Sequence, residues 1–317
     1  MQRLRSSRVP YLRQTIVYLS LLVPSYAQSY VGGDLSDQAP YGVPPQAFAS
    51  AIASPLVDAS FPIRGYNTST PPGAVDATVK HVNGWSIDIG VTANVPLTDS
   101  NYADIDKSQC IDATTLSITP PAGITGCDDN SWRVCAIVFT SGLGSSVTND
   151  LQTTKTDGSC SALLPDDCIQ KLQANGAQAK GGKDSGCSNL NVPDECAPYF
   201  AGTDGTAYKI TPIGRDTYRN RRSPFFAWSS APTFKGNKSA LAAAMKPVWP
   251  VLLTWSHFNN SGDVHDSAGW LSCVNTPQSK EVASGSSGNG AVTSRGWYSG
   301  TRWAVLLGVG LASMFLV

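Results

Sequence analysis

Val75-Asp76-Ala77-Thr78-Val79-Lys80-His81-Val82-Asn83-Gly84-Trp85-Ser86-Ile87-Asp88-Ile89-Gly90-Val91-Thr92-Ala93-Asn94-Val95 is the stretch that decides the fold. Apolar and polar residues alternate with period two on both sides of Asn83-Gly84. Side chains of a strand point alternately to its two faces, so each run makes one apolar face. Two such runs joined by Asn-Gly predict a β-hairpin over 75–95 with one face in a core.

Working outward, further strands are expected at Thr115–Thr119, Trp132–Thr140, Val248–Trp255 and Trp270–Val274. Ser131-Trp132-Arg133-Val134-Cys135-Ala136-Ile137-Val138-Phe139 is apolar on both faces and reads as an interior strand. Pro250 lacks the N–H that a ladder needs, which places its strand at an edge or a bulge. A helix is expected from Pro165-Asp166-Asp167 to Asn175-Gly176, and another over Ser239–Lys246, closed by Pro247. A third, short one is expected near Gln46–Ala53. The fold class that follows is mainly β: a disulfide-stapled, antiparallel β-sandwich-like domain with two or three short helices.

Both ends carry processing signals. Arg3, Arg5, Arg8 and Arg13 precede an apolar run from Thr15 to Pro24 and the small-residue pattern Ser25-Tyr26-Ala27. This order is that of a secretory signal peptide, with cleavage expected after Ala27 and Gln28 as the new N-terminus. At the other end, Trp303 to Val317 is apolar and uncharged. Fifteen helical residues rise about 22 Å, short of the roughly 30 Å hydrocarbon core. A polar spacer, Val292 to Arg302, separates this tail from the small residues Asn289-Gly290-Ala291. That arrangement is the signal for a glycosylphosphatidylinositol (GPI) anchor, with Asn289 as the expected attachment site.

The organisation expected is a signal peptide (1–27), a Pro/Ser/Ala-rich lead-in (28–73), a Cys-rich β ectodomain (74–275), a Ser/Gly stalk (276–289) and a removed anchor propeptide (290–317). Processing takes away six arginines and no acid, so 23 basic and 23 acidic residues become 17 and 23, a net charge of −6. A mildly acidic ectodomain excludes nucleic acid as a partner; the membrane is reached through the lipid. Arg221-Arg222 has the form of a dibasic processing site or of an exposed loop.

All eight cysteines lie in the retained part: Cys110, Cys127, Cys135, Cys160, Cys168, Cys187, Cys196 and Cys273. An even count in a secreted chain predicts four disulfides, and no C-x₂-C pair points to zinc. Sequons stand at Asn67-Thr68-Ser69, Asn237-Lys238-Ser239 and Asn259-Asn260-Ser261, making Asn67, Asn237 and Asn259 candidate N-glycosylation sites.

Signs of catalysis are few. His81, His257 and His265 are the three histidines, and the last two sit with Asp263 and Asp266 in what reads as a polar surface turn beside Asn259. Asp128-Asp129 and Asp166-Asp167 read structurally, the latter as a helix N-terminus. No metalloprotease, nucleophile-elbow or phosphate-loop motif occurs, so no catalytic residue, metal or cofactor is expected. Of six tryptophans that survive processing, Trp228, in Pro224-Phe225-Phe226-Ala227-Trp228, is the candidate platform for stacking on a sugar.

Gly84-Trp85-Ser86-Ile87-Asp88-Ile89, Ser131-Trp132-Arg133-Val134-Cys135 and Leu164-Pro165-Asp166-Asp167-Cys168 together resemble uncharacterised GPI-anchored secreted proteins of filamentous fungi. The resemblance spans about residues 75–275 and implies a wall-facing position on the outer plasma membrane. It implies no activity. The expected function is an extracellular glycoprotein, structural or interacting with cell-wall polysaccharide. The competing expectation is a hydrolase or transglycosidase acting on that polysaccharide.

Overall fold

Seven of the eight residues of strand β5 (Trp132–Phe139) are buried, and they divide by parity. Trp132, Val134, Ala136 and Val138 enter one apolar cluster, while Ile137 and Phe139 enter another. A strand with two apolar faces has to lie inside a sheet that is covered on both sides. In the computed structural model, which describes residues 28–31, 39–40, 42–69, 81–99, 106–124, 131–140, 142–148, 157–179, 186–200, 207–214 and 224–276, it does.

With β6 (Tyr208–Pro212), β9 (Trp249–Phe258) and β10 (Val264–Val274) it forms an antiparallel sheet of order β10-β9-β5-β6. A second antiparallel sheet runs β1-β7-β4-β3-β2, from Gln28–Val31, Pro224–Ser229, Gln109–Thr119, His81–Pro96 and Val57–Tyr66 respectively. The two-residue β8 (Thr233–Phe234) pairs with the start of β4. Phe61, Ile63, Trp85, Ile87, Ile89, Leu116, Ile118 and Phe226 of the larger sheet meet Val251, Leu253 and Trp255 of the smaller one in a shared core. The chain is thus the mainly β, disulfide-stapled sandwich that the alternation predicts.

Three helices of eight or more residues cover this sandwich among the described residues. α1 (Pro45–Ile52) sets Phe48 against Ile111, Ala113 and Ala227 of the larger sheet. α2 (Asp166–Gln178) packs Cys168 and Leu172 on Leu252 and Leu271 of the smaller one. α3 (Lys238–Met245) closes one end with Ala244 and Met245 against Val57 and Val91. No helix among the described residues is long and apolar enough to cross a membrane.

The hairpin over 75–95 is corrected. Asn83-Gly84 is no turn; it lies inside β3, one continuous strand of 16 residues, with Gly84 at φ +101°. The partner of β3 is β2, with Tyr66 opposite His81 and Ile63 opposite Trp85, and the register shifts between Ile63 and Gly65. The positive φ that glycine provides serves an irregularity in a ladder here, not a reversal. Residues 75–80 lie outside the described residues. The lead-in is corrected as well, because 28–73 supplies β1, α1 and β2. Val57-Asp58-Ala59-Ser60-Phe61-Pro62-Ile63 alternates cleanly, and Pro62 is tolerated because β2 is the sheet edge.

Two smaller expectations also shift. Pro250 belongs to an interior strand, yet the β5 ladder stops at Val251, so the missing N–H costs that ladder nothing. Gly176 does not end its helix; it is buried within α2, where a Cβ would come 2.7 Å from Leu252 Cδ2. The bounds of 1–27, of 290–317 and of most of the stalk, with Asn289 and Arg221-Arg222, lie outside the described residues.

Helix α2 lies directly on β10 at Gly269, where a Cβ would stand 2.3 Å from the carbonyl oxygen of Gln173. A backbone atom cannot swing aside as a side-chain end can. Gly269→Ala should therefore cost about 1–3 kcal/mol and lower the melting temperature by roughly 2–4 °C per kcal/mol. Gly214→Ala, whose methyl meets nothing within 4 Å, is the control. Equal melting temperatures for the two variants would show that α2 can ride away from the sheet.

Candidate functional site

Where α2 meets β10 and the edge of β2, a groove of about 300 Å³ opens. Its helical wall is Asp166, Ile169, Gln170 and Gln173, spaced i, i+3, i+4, i+7, so one stripe of α2 faces it. The buried stripe of the same helix, Cys168, Leu172 and Gly176, faces the sheet. Trp270 and Leu271 of β10 and Pro62 of β2 complete the apolar lining. The remaining wall is the segment 157–161, Asp157-Gly158-Ser159-Cys160-Ser161.

That segment is held firmly. Asp157 Oδ1 accepts from the Ser159 N–H at 2.8 Å, folding an Asx turn. Gly158 offers its carbonyl to Ser272 Oγ (2.7 Å) and to the Cys273 N–H (2.9 Å). The Cys160–Cys273 disulfide then ties it covalently to β10. Cys168–Cys196 fixes the first turn of α2, and Cys135–Cys187 ties β5 to the segment beyond that helix.

Chemically the groove offers two carboxylates, two carboxamides and two hydroxyls around one indole. The Trp270 ring is half-buried, and the Arg64 guanidinium carbon lies 5.2 Å from its centroid, a cation–π arrangement. Asp157 and Asp166 are both exposed. Such a lining suits a ligand with apolar C–H faces and many hydroxyls. A glycosidase needs two carboxyl groups flanking one scissile bond; both carboxylates here are exposed.

Other sequence candidates go elsewhere. Trp228 is half-buried on β7, packed against two apolar clusters and 6.2 Å from Trp249, and it does not line the groove; Trp270, which does, is also half-buried and packs against one of those clusters. His257 is not in a surface turn; it is buried on β9, with its ring 4.7 Å from Trp132. All three histidines join one ladder of rings, His81–Tyr66–Trp132–His257–His265. No group of three or more metal-ligating side chains occurs among the described residues. Asn67 and Asn237 are exposed and Asn259 is half-buried in the β9–β10 turn. Sequence reasoning missed the groove because Trp270 reads as a strand residue and Asp166 as a helix start. The stripe spacing from Asp166 to Gln173 was the available signal.

Six cysteines form three disulfides, while Cys110 is a buried thiol and Cys127 lies outside the described residues. The expected fourth bridge is therefore not seen at Cys110. Its Sγ sits in the β4–β8 seam, 3.4 Å from the Thr233 carbonyl, in the sheet opposite the three bridges. Beside it, Asp112 is buried and accepts from the Asn94 N–H at 2.9 Å. Burial pushes the Asp112 carboxyl up, and the Asn94 hydrogen bond draws it only partly back.

A folded-state value above the unfolded one means that stability is greatest at low pH and is lost as pH rises through the folded value. Asp112→Asn keeps an oxygen for Asn94 and never ionises. Its melting temperature relative to the unsubstituted protein should rise between about pH 4, near the unfolded carboxylate value, and pH 7. A difference that falls over that range would show that the carboxylate is stabilised in the fold, and a flat one that folding leaves its proton affinity unchanged.

No family model, no curated protein and no solved structure matches this chain.

Proposed function

We propose that the chain is a GPI-anchored extracellular glycoprotein that holds cell-wall polysaccharide in the Trp270 groove without cleaving it. The observation that carries the reading is the groove: Trp270 and a stripe of polar side chains line it, and one wall is stapled by Cys160–Cys273. A rigid site loses little freedom on binding, so modest contacts suffice for an extended ligand. Three disulfides agree with the oxidising compartment that the N-terminal signal implies. The mildly acidic surface and the terminal apolar tail agree with a protein displayed outside the cell on a lipid. The hydrolase reading has one observation in its favour, two carboxylates in one groove, and their exposure against it.

Full-length chain made in a eukaryotic secretory host should leave the membrane fraction on treatment with phosphatidylinositol-specific phospholipase C. Retention, with residues 303–317 still detected by mass spectrometry, would sink the anchor.

The released protein, incubated with insoluble β-glucan, chitin and mannan, should be depleted from solution by at least one of them with no soluble sugar formed. Trp270→Ala should weaken that retention about tenfold or more, as truncating a central aromatic anchor does. Sugar release would establish the hydrolase instead, and retention undiminished in the variant would move the binding surface elsewhere.

A further inference from the structure

Among the described residues one large apolar side chain stands exposed: Phe234, with 64% of its surface in solvent. A single exposed aromatic is ordinary. The backbone around this one is not, because three residues on comes the sequon Asn237-Lys238-Ser239. The Asn237 N–H donates to the Phe234 carbonyl at 3.2 Å and closes a four-residue turn with Gly236 at φ +81°. That closure brings the Cα atoms of Phe234 and Asn237 within about 7 Å. The turn is pinned from outside as well, since the Gly236 N–H donates to Asn94 Oδ1 at 2.7 Å.

The Asn237 carboxamide is oriented by both of its atoms. Oδ1 accepts from the N–H groups of Ser239 (3.0 Å) and Ala240 (3.1 Å), capping α3. Nδ2 therefore points back toward β8, where it donates to Thr233 Oγ1 at 2.6 Å. N-glycosylation joins Nδ2 to C1 of an N-acetylglucosamine, displacing the lipid diphosphate that carried the sugar and releasing one amide proton. The second amide hydrogen remains for Thr233, so neither the cap nor the turn has to break. Neither other sequon has such a neighbour: Tyr66 before Asn67 and Phe258 before Asn259 are buried.

We propose that Asn237 carries an N-glycan and that Phe234 is its docking surface, the C–H face of the first sugar lying on the exposed ring. The sugar covers the apolar surface that the fold leaves open and braces the turn that starts α3. This inference rests on passage through the secretory pathway but on no property of the Trp270 groove.

The test uses the full-length chain from a eukaryotic secretory host, mapped by mass spectrometry for glycans at each sequon. Four forms are compared: unsubstituted, Ser239→Ala, Phe234→Ala and the double variant. Ser239→Ala abolishes the sequon and keeps the Asn237 cap, which uses only the backbone N–H of Ser239. Asn237 should be occupied. Loss of the glycan should lower the melting temperature by about 2–4 °C when Phe234 is present, and should leave it unchanged when residue 234 is alanine. An unmodified Asn237 beside glycans at Asn67 or Asn259 would overturn the proposal and leave secretion standing. No glycan at any sequon would overturn both. An occupied Asn237 whose loss has the same effect with and without Phe234 would overturn the docking.

Discussion

The indole of Trp85 is the point on which the two sheets are registered. It is fully buried, its N–H donates to the Tyr66 carbonyl at 3.1 Å, and its ring lies edge-on to Trp255 with centroids 6.3 Å apart. The backbone of β2 passes so close that a Cβ on Gly65 would fall 2.3 Å from the ring. One side chain therefore fixes the pairing of β2 with β3 and the spacing between the sheets. Truncating a buried tryptophan costs about 3–5 kcal/mol, against a total stability on the order of 5–15 kcal/mol. Phe61 and Ile63 of β2 hold their places because this contact does.

The groove follows from how the smaller sheet is covered. Its outer face is apolar, so it recruits α2; its edge strand β10 carries Gly269, so the helix can settle directly on it. With the buried stripe committed to Leu252 and Leu271, the stripe from Asp166 to Gln173 is left at the margin. The disulfides lie on that same side, where a short helix and irregular segments would otherwise contribute little ordered core. The opposite sheet, long and continuous, has no bridge among the described residues; its ladders and its packing hold it.

How much of this was legible in the sequence varies with the range of the cause. Period-two alternation revealed β3, and a run apolar on both faces revealed β5, because burying a face is a local demand on the strand itself. The pairing of β3 was misread, since Asn-Gly is a turn signal only if the run before it wins the pairing. Here Val57–Tyr66 wins: its alternation is clean, but Pro62 within the run counts against a strand unless the strand lies at an edge. Helix α2 was foreseen and its end was not, because Gly176 is kept for its closeness to Leu252, a contact almost eighty residues distant. The site was the least legible part: Asp157, Asp166 and Trp270 come to line one groove only when Cys160 meets Cys273.

That bridge also has a mechanical meaning. β10 is the last strand among the described residues, and any pull applied to the chain beyond Thr276 acts on its end. An edge strand tugged from one terminus yields one hydrogen-bonded pair at a time, the weakest way to load a sheet. Cys273, one residue from the end of the strand, shunts the tension into Cys160 and from there into the segment before α2. Thr276 Oγ1, donating to the Met245 carbonyl at 3.0 Å, spreads part of the same load into α3. A pull from beyond Thr276 is thus carried as shear through a covalent cross-brace, and the wall of the groove is part of the strut.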